Sequence, residues 1–300
     1  MNWDEVRFFH AVAKAGSLTQ AARVLRVSQP TVGRRIRDLE EDLGARLFNR
    51  LNQGYALTDL GHAIFDQAEQ MAGAARCISD RIATASNQIV GQIKLTAPDG
   101  LGAHWLVPRL QKIKREHPDL DIQLMLSIEM LNLSAGDADL ALRMGNPTDE
   151  NLVGKKVASV PFHLYGSRSY FAKYPIPQHP EELGKHLIIR GTGRLQNVDQ
   201  NQVLRELTSD AETAVACDSL MAQVNAAEAG MGIVPLPPYL VGEGSDLMRI
   251  SERVFEVRVP VWLLTRQDLR NCPRVVTIKK FTENAAKRTF ATPAALPQVA

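Results

Sequence analysis

The chain is short of cysteine, of long apolar stretches and of a dominant charge, and each shortage narrows what it can be. Its three cysteines, Cys77, Cys217 and Cys272, stand far apart, with no CxxC pair and no metal-ligand spacing. That argues against a disulfide framework or a metal centre and favours a reducing compartment; a redox sensor built from Cys217 and Cys272 is the minor alternative. No apolar run approaches the ~18–20 residues of a membrane-spanning helix. The opening Met1-Asn-Trp-Asp-Glu5 carries no basic-then-apolar export signal. A cytoplasmic protein with no membrane partner is expected. GxSxG, HExxH, P-loop and GxGxxG motifs are all missing, and the seven histidines are scattered without ligand spacing. Gly230-Met-Gly232 lacks a third glycine and reads as a helix end feeding a strand. No catalytic residue, metal or cofactor is expected.

Thirty-five Lys and Arg face 33 Asp and Glu, a net charge of +2, so any surface for nucleic acid has to be local. One segment supplies it. Arg23, Arg26, Arg34, Arg35 and Arg37 occur with no acid between the first and the last, and such a cluster can neutralise phosphates on a near-neutral protein. The length, 300 residues, suits two or three domains.

The local patterns place this cluster. Trp3, Val6, Phe9, Val12 and Ala13 share one helical face ended by Gly16; Trp3, Phe8 and Phe9 read as packing residues. Ser17 and Gln20 suggest a capping box. Leu18, Ala21, Ala22 and Leu25 form the next apolar stripe, with small alanines for a close crossing. After the turn at Arg26-Val27, Ser28 caps a third helix that tolerates Pro30 in its first turn. Its stripe, Val32, Ile36, Leu39 and Leu43, leaves Pro30, Arg34 and Arg37 on the opposite side. Its far end turns acidic at Glu40, Glu41 and Asp42, so only the N-terminal tip suits a major groove.

Gly44 closes this helix, and the residues from Leu47 to Leu57 read as a two-stranded wing with a polar tip, Asn52-Gln53-Gly54. Thr58 caps a helix from Asp59 to about Thr84 whose seam, Leu60, Ile64, Ala68, Met71, Ala75, Ile78 and Ile82, needs a second copy to cover it. After Ser86-Asn87, strands alternate with helices, which implies α/β units on largely parallel sheets.

Three segments carry a resemblance: Ala21-Ala22-x-x-Leu25-x-x-Ser28-Gln29-Pro30, Ile36-x-x-Leu39-Glu40-x-x-Leu43-Gly44-x-x-Leu47-Phe48-x-Arg50, and Leu57-Thr58. With weaker echoes at Gly91–Leu95, Ala138–Gly145, Leu164–Tyr170 and Ala229–Pro235, the chain resembles the LysR-type transcriptional regulators over nearly its whole length. The resemblance implies an α+β multidomain protein: an N-terminal winged helix-turn-helix (1–59), a long dimerising linker helix (60–87) and a C-terminal two-lobed α/β domain (88–300) similar to the periplasmic binding proteins. The first lobe would take 88–161 and 266–290, the second 162–265, with crossings near Pro161 and Arg266 and a flexible tail at 291–300.

The resemblance further implies a homodimer, or a homotetramer, on a partly palindromic duplex, acting with RNA polymerase. A small-molecule effector between the lobes would modulate binding or bending. By matching position, Gln29, Pro30 and Arg34 meet base edges, whereas Ser28, Thr31 and Arg50 grip phosphate. Arg35 lies on the flank, free to touch DNA or to pair with a nearby Glu. Gly33 and Gln53 stand where the family often has a hydroxyl residue and a second Arg, which suggests a thinner phosphate grip. Effector candidates are Pro98, Asp99, Gly100, Leu101, Ser127, Arg143, Arg190 and Ser219. Asp99 either caps the helix start, displacing a simple carboxylate ligand, or points away. Arg143 reads as a structural tie through Asp139 before it reads as a ligand contact. Two rivals remain: a solute-binding protein, which needs an export signal, and an enzyme fused to a DNA-binding head, which needs a catalytic constellation in 91–290.

Overall fold

The structure, a computed structural model, describes residues 2–51, 54–84, 89–127, 137–147, 152–242 and 244–290. The wing residue Gln53, the Ser86-Asn87 boundary and the 291–300 tail lie outside the described residues.

Three helices open the chain: α1 (Trp3–Ala15), α2 (Leu18–Leu25) and α3 (Gln29–Leu43). Each boundary has a local cause. Asn2 and Glu5 form the reciprocal capping box on α1, and Gly16 ends that helix at φ 66°. At α2 the Ser17 side chain accepts from the Gln20 amide, which is one half of the capping box expected there. Arg26 ends α2 at φ 56°, a left-handed conformation that costs a non-glycine residue about 1–2 kcal/mol. The hairpin β1 (Phe48–Leu51) and β2 (Gly54–Leu57) follows. Phe8, Phe9, Val12, Ala21, Ala22, Val32, Ile36, Leu39, Leu47 and Phe48 form one core, joined by Ala68 from α4 (Asp59–Thr84). Thr58 starts α4, its hydroxyl accepting from the Gly61 amide at 3.0 Å. Two residues of the expected stripes stand out in solvent instead: Trp3 is 70% exposed and Leu43 41%. Both sit in the terminal turn of a helix, where the core has already fallen away.

The remainder holds β3 (Gly91–Ala97), a π-helical turn Leu101–Leu106 running into α5 (Val107–Glu116), β4 (Leu120–Leu126), β5 (Leu140–Met144) and β6 (Leu152–Ser167). Next come α6 (Arg168–Phe171), β7 (Ile188–Gly191), α7 (Asp199–Leu207), β8 (Thr213–Cys217), α8 (Leu220–Glu228), β9 (Val234–Leu236), β10 (Leu247–Arg249), β11 (Val257–Arg266) and α9 (Pro273–Phe290). The sheets are mixed rather than largely parallel. β3 runs parallel to β4 and β5, and β7 to β8. β11 is antiparallel to both β5 and β6, and β6 is antiparallel to β9 and β10.

β6 serves two sheets. Its residues 152–162 pair with β11, and 163–167 pair with β9 and β10. β11 already lies beside β5 at Val261–Thr265, so the return crossing falls near Val257. The sequence reading put it near Arg266, too late by most of a strand, because an apolar strand looks alike in either lobe. The first-lobe core gathers Ile93, Leu95, Trp105, Leu120, Leu140, Val261, Val275 and Ile278. Tyr165, Ile189, Val224, Val234 and Leu236 fill a cluster in the second.

Candidate nucleic-acid interface and effector cleft

The tip of α3 is built by its cap. Ser28 holds extended backbone (φ −75°, ψ 149°), and its Oγ accepts from the Thr31 amide at 3.3 Å while lying 2.8 Å from Thr31 Oγ1. Pro30 fits the first turn because it has no amide to leave unpaired. Burial of Val32, Ile36 and Leu39 turns Ser28, Gln29, Pro30, Arg34 and Arg37 outward, where they are exposed; Thr31 and Gly33 are half-buried. A Cβ on Gly33 would lie 3.4 Å from Leu18 Cδ1, so this position lies against α2. Arg35 does not join the tip. Its Nη1 is 3.8 Å from Glu5 Oε1 and its guanidinium lies over Phe8 at 5.9 Å, which ties it to α1 by the pairing with a nearby Glu that the sequence offered beside a DNA contact.

The wing is fastened at both ends. Glu40 Oε1 accepts from the Leu47 and Phe48 amides at 2.8 and 3.1 Å, so one member of the acidic end of α3 has a structural task. At the tip, Tyr55 N donates to Gly16 O at 2.8 Å. Gly54, at φ 143°, allows this because any Cβ there would stand 2.4 Å from the same oxygen. Arg50 is exposed on β1, opposite Tyr55.

The effector candidates divide. The turn Pro98–Leu101 follows β3, and Ser127 follows β4, the parallel neighbour, so both lie at the carboxyl edge of the sheet where ligands of α/β folds bind. Ser127 N donates to Ala97 O at 2.9 Å. A Cβ on Gly100 would come 3.0 Å from Leu220 Cδ2, and Ser219 caps α8 by accepting from Ala222 N at 3.4 Å. The 98–101 turn and the start of α8 therefore face one another closely. Asp99 is exposed and no side chain caps this helix start, which decides against Asp99 as the cap.

The two arginines have structural partners. Arg143 Nη2 donates to Thr96 Oγ1 at 3.2 Å, and burial pulls its pKa down. Its tie is therefore to β3 through Thr96, while Asp139 accepts from Lys94 N at 2.9 Å. Arg190 is spent more fully. Its Nε donates to Thr213 Oγ1 at 2.8 Å, its Nη1 to Thr208 Oγ1 at 3.1 Å, and its Nη2 to the Thr208 and Ala211 carbonyls at 2.6 and 3.2 Å. That set stitches β7 to the turn before β8, so Arg190 is corrected from cleft residue to tie.

One group escaped the sequence reading. Glu69, on α4, is 0% exposed. Its Oε2 lies 2.6 Å from His10 Nε2 and 2.5 Å from Lys14 Nζ, both on α1. Its Oε1 lies 3.1 Å from Arg76 Nη2 and 3.3 Å from Arg266 Nη1, the last residue of β11. Burial would raise the Glu69 pKa, but the hydrogen bonds and charges of His10 and Lys14 outweigh it and hold the carboxyl well below the usual range. The carboxylate thus joins DNA-binding head, linker and effector domain at one point. An acid in an apolar helical pattern with Arg76 seven residues away was the available signal, and it looks the same on a solvated face.

Comparison with known proteins agrees with this fold. Residues 3–62 match the family model described as "Bacterial regulatory helix-turn-helix protein, lysR family", and residues 86–286 match "LysR substrate binding domain". An "HTH-type transcriptional regulator" of Xanthomonas campestris pv. campestris (strain 8004) is 30% identical over 209 residues, 70% of this chain and 60% of that protein, so less than two thirds of that relative is spanned. The "Mau operon transcriptional activator" of Paracoccus denitrificans is 24% identical over 97% of this chain and 99% of its own length. Among solved structures, "Full-length OxyR C199D" from Pseudomonas aeruginosa superposes with a TM-score of 0.77 at 18% identity, over 96% of this chain and 95% of that one. At that identity the likeness speaks for the fold.

Proposed function

The chain belongs to the LysR-type transcriptional regulators, not to an enzyme family, and from that premise we propose that it reads a partly palindromic duplex as a homodimer under the control of a small-molecule effector. The observation that carries this is the capped, exposed tip of α3, with Arg34 and Arg37 outward over a buried stripe. Gln29 can bond adenine twice, Arg34 can fork onto guanine, and the Pro30 ring can touch a thymine methyl. Ser28, Thr31 and Arg50 lie where phosphates pass. Two copies place two tips in successive major grooves.

The exposed apolar side chains Leu60, Ile78 and Ile82 on α4, with Trp3 on α1 of the head, support pairing through the linker helix. We assign residues 2–58 to the head, α4 to the linker, and the rest to an effector domain whose second lobe is 163–256. Pairs of dimers forming a tetramer, contact with RNA polymerase and a cytoplasmic setting belong to the same proposal. The effector sits between the 98–101 turn, Ser127 and Ser219. The exposed charge of Asp99 at that turn disfavours a simple carboxylate, so a neutral or cationic small molecule fits better. It acts only so far as it binds one lobe arrangement better than the other.

Selection of duplexes from a random pool by the full-length protein tests the reading. Enrichment of a site with two half-sites is the expected result, and an unenriched pool would overturn it. A thermal-shift panel of neutral, cationic and dicarboxylate ligands then tests the effector class, a dicarboxylate response refuting it.

A further inference from the structure

Linker and effector domain meet along a seam that ends in a covalent bond. Glu69, Gly73, Arg76 and Cys77 share one face of α4. Opposite them runs the segment from β11 to α9: Arg266, Asp268, Leu269 and Cys272. A Cβ on Gly73 would lie 2.7 Å from Asp268 Oδ2 and 2.8 Å from Arg266 Nη2, so the Arg266–Asp268 pair packs directly onto the helix at this glycine. At the end of the seam Cys77 and Cys272 form a disulfide, their Cα atoms 5.1 Å apart across 195 residues of sequence. The sequence reading expected no disulfide and considered Cys217 with Cys272. Cys217 is instead the free thiol, and burial, aided by the charge of Asp218, pushes its pKa up.

We propose that Cys77 and Cys272 are a reversible staple, closed and opened by exchange with a small-molecule thiol–disulfide couple, which fastens the linker helix to the effector domain. The proposal rests on the reading of this chain as a DNA-binding regulator, since a protein at work on bacterial DNA sits among reducing thiols, where a disulfide is a transient and responsive bond. Three observations support it. The two sulfurs belong to α4 and to the turn before α9, so the bond crosses from the linker helix to the effector domain. Cys77 is half-buried, whereas Cys272 is 1% exposed, so one sulfur can be reached and the other resolves. The Glu69–Arg266 pair at 3.3 Å keeps the seam together when the bond is open, which returns the two thiols to one another.

The chemistry balances. The Cys77 thiolate attacks a small disulfide RSSR, giving Cys77–S–SR and RS⁻. The Cys272 thiolate then attacks the Cys77 sulfur, forms the protein disulfide and expels the second RS⁻. Two protein thiols are oxidised, one RSSR is reduced, and the two protons end on the released RSH. The reverse sequence opens the staple.

The test uses the full-length chain equilibrated in glutathione buffers from fully reduced to mostly oxidised, with free thiols counted by maleimide mass tagging and α4 amide exchange followed in parallel. The wild type should pass reversibly from three free thiols to one, and C217S from two to none. Amides of α4 should exchange about tenfold faster once the bond opens. C77S and C272S should exchange at the fast rate in every buffer, and a glutathione adduct on Cys77 in C272S would confirm the order of attack. Should loss of the buried Cys272 thiol unfold C272S, the half-exposed C77S carries the comparison. Three free thiols in the most oxidising buffer, a bond that excess reduced glutathione leaves closed, or α4 exchange blind to the buffer would each overturn the staple. DNA affinity is read separately: absence of binding in all buffers would undo the regulatory reading while leaving the thiol count to stand.

Discussion

Replacement of Glu69 by Ala tests whether the three-way junction holds the molecule together. The carboxylate is 0% exposed and has three cationic neighbours, Lys14, Arg76 and Arg266, and the imidazole of His10 between 2.5 and 3.3 Å. At an effective dielectric constant of about 20, each close pair attracts by roughly 4 kcal/mol before desolvation is charged against it. Removal of one buried partner costs about 3–5 kcal/mol, because the cations left behind keep their desolvation and lose their counter-charge. Glu69→Gln retains shape and one acceptor and should cost about 1–3 kcal/mol.

The acid limb has a definite sign. The folded carboxyl titrates below its usual value of 4.5, so the unfolded chain binds the extra proton between the two values. The contribution is full above pH 4.5 and is lost as pH falls toward the folded value. Thermal unfolding of the full chain from pH 7 to pH 3 should therefore show a lower first transition at pH 7 in both variants and a shallower acid slope than in the wild type. Equal transitions, or parallel acid limbs, would refute the junction.

Other expectations are more local. Arg34→Ala should cost about 1–3 kcal/mol on the selected duplex and relax preference at one base position, read by anisotropy on single-base variants of the site. Arg50→Ala should weaken all sequences about equally and flatten the plot of log affinity against log salt by roughly one unit. Ser28→Ala should destabilise the head by about 1 kcal/mol, visible as a lower midpoint in urea, by stripping the Thr31 amide of its partner. Arg190→Met should lower stability by about 1–3 kcal/mol, since the Thr208 and Ala211 carbonyls lose their donor. It should leave effector affinity unchanged in calorimetry; a weakened affinity would return Arg190 to the cleft.

The parts legible in the sequence were those with short-range causes. Ser17 and Ser28 announce helix starts, Gly16 and Gly44 helix ends, and the stripe Val32-Ile36-Leu39 sets which way Arg34 points. The long α4 was legible from its seam. What stayed hidden depends on distant partners. Arg190 could be ligand or tie until Thr208 and Thr213 were placed beside it. Cys77 and Cys272 could pair only because α4 lies on the start of α9. Helix α7, Asp199–Leu207, has no side-chain cap and few apolar residues, so nothing local distinguishes it from a loop. Strand direction is a property of topology, which is why β11, apolar like the parallel strands β3 and β5, gave no sign that it runs against β5.

The double fastening of the wing, through Glu40 at one end and the Gly16 carbonyl at the other, reaches beyond the head itself. On the proposed reading, Arg34 and Arg50 are carried on one braced die whose imprint stays the same when an effector binds elsewhere. The proposed effector then acts through how far apart two such dies strike, and at what tilt. Selections run with and without effector should return one unchanged half-site motif, the difference being confined to the number of base pairs between the copies and to the curvature of the duplex joining them.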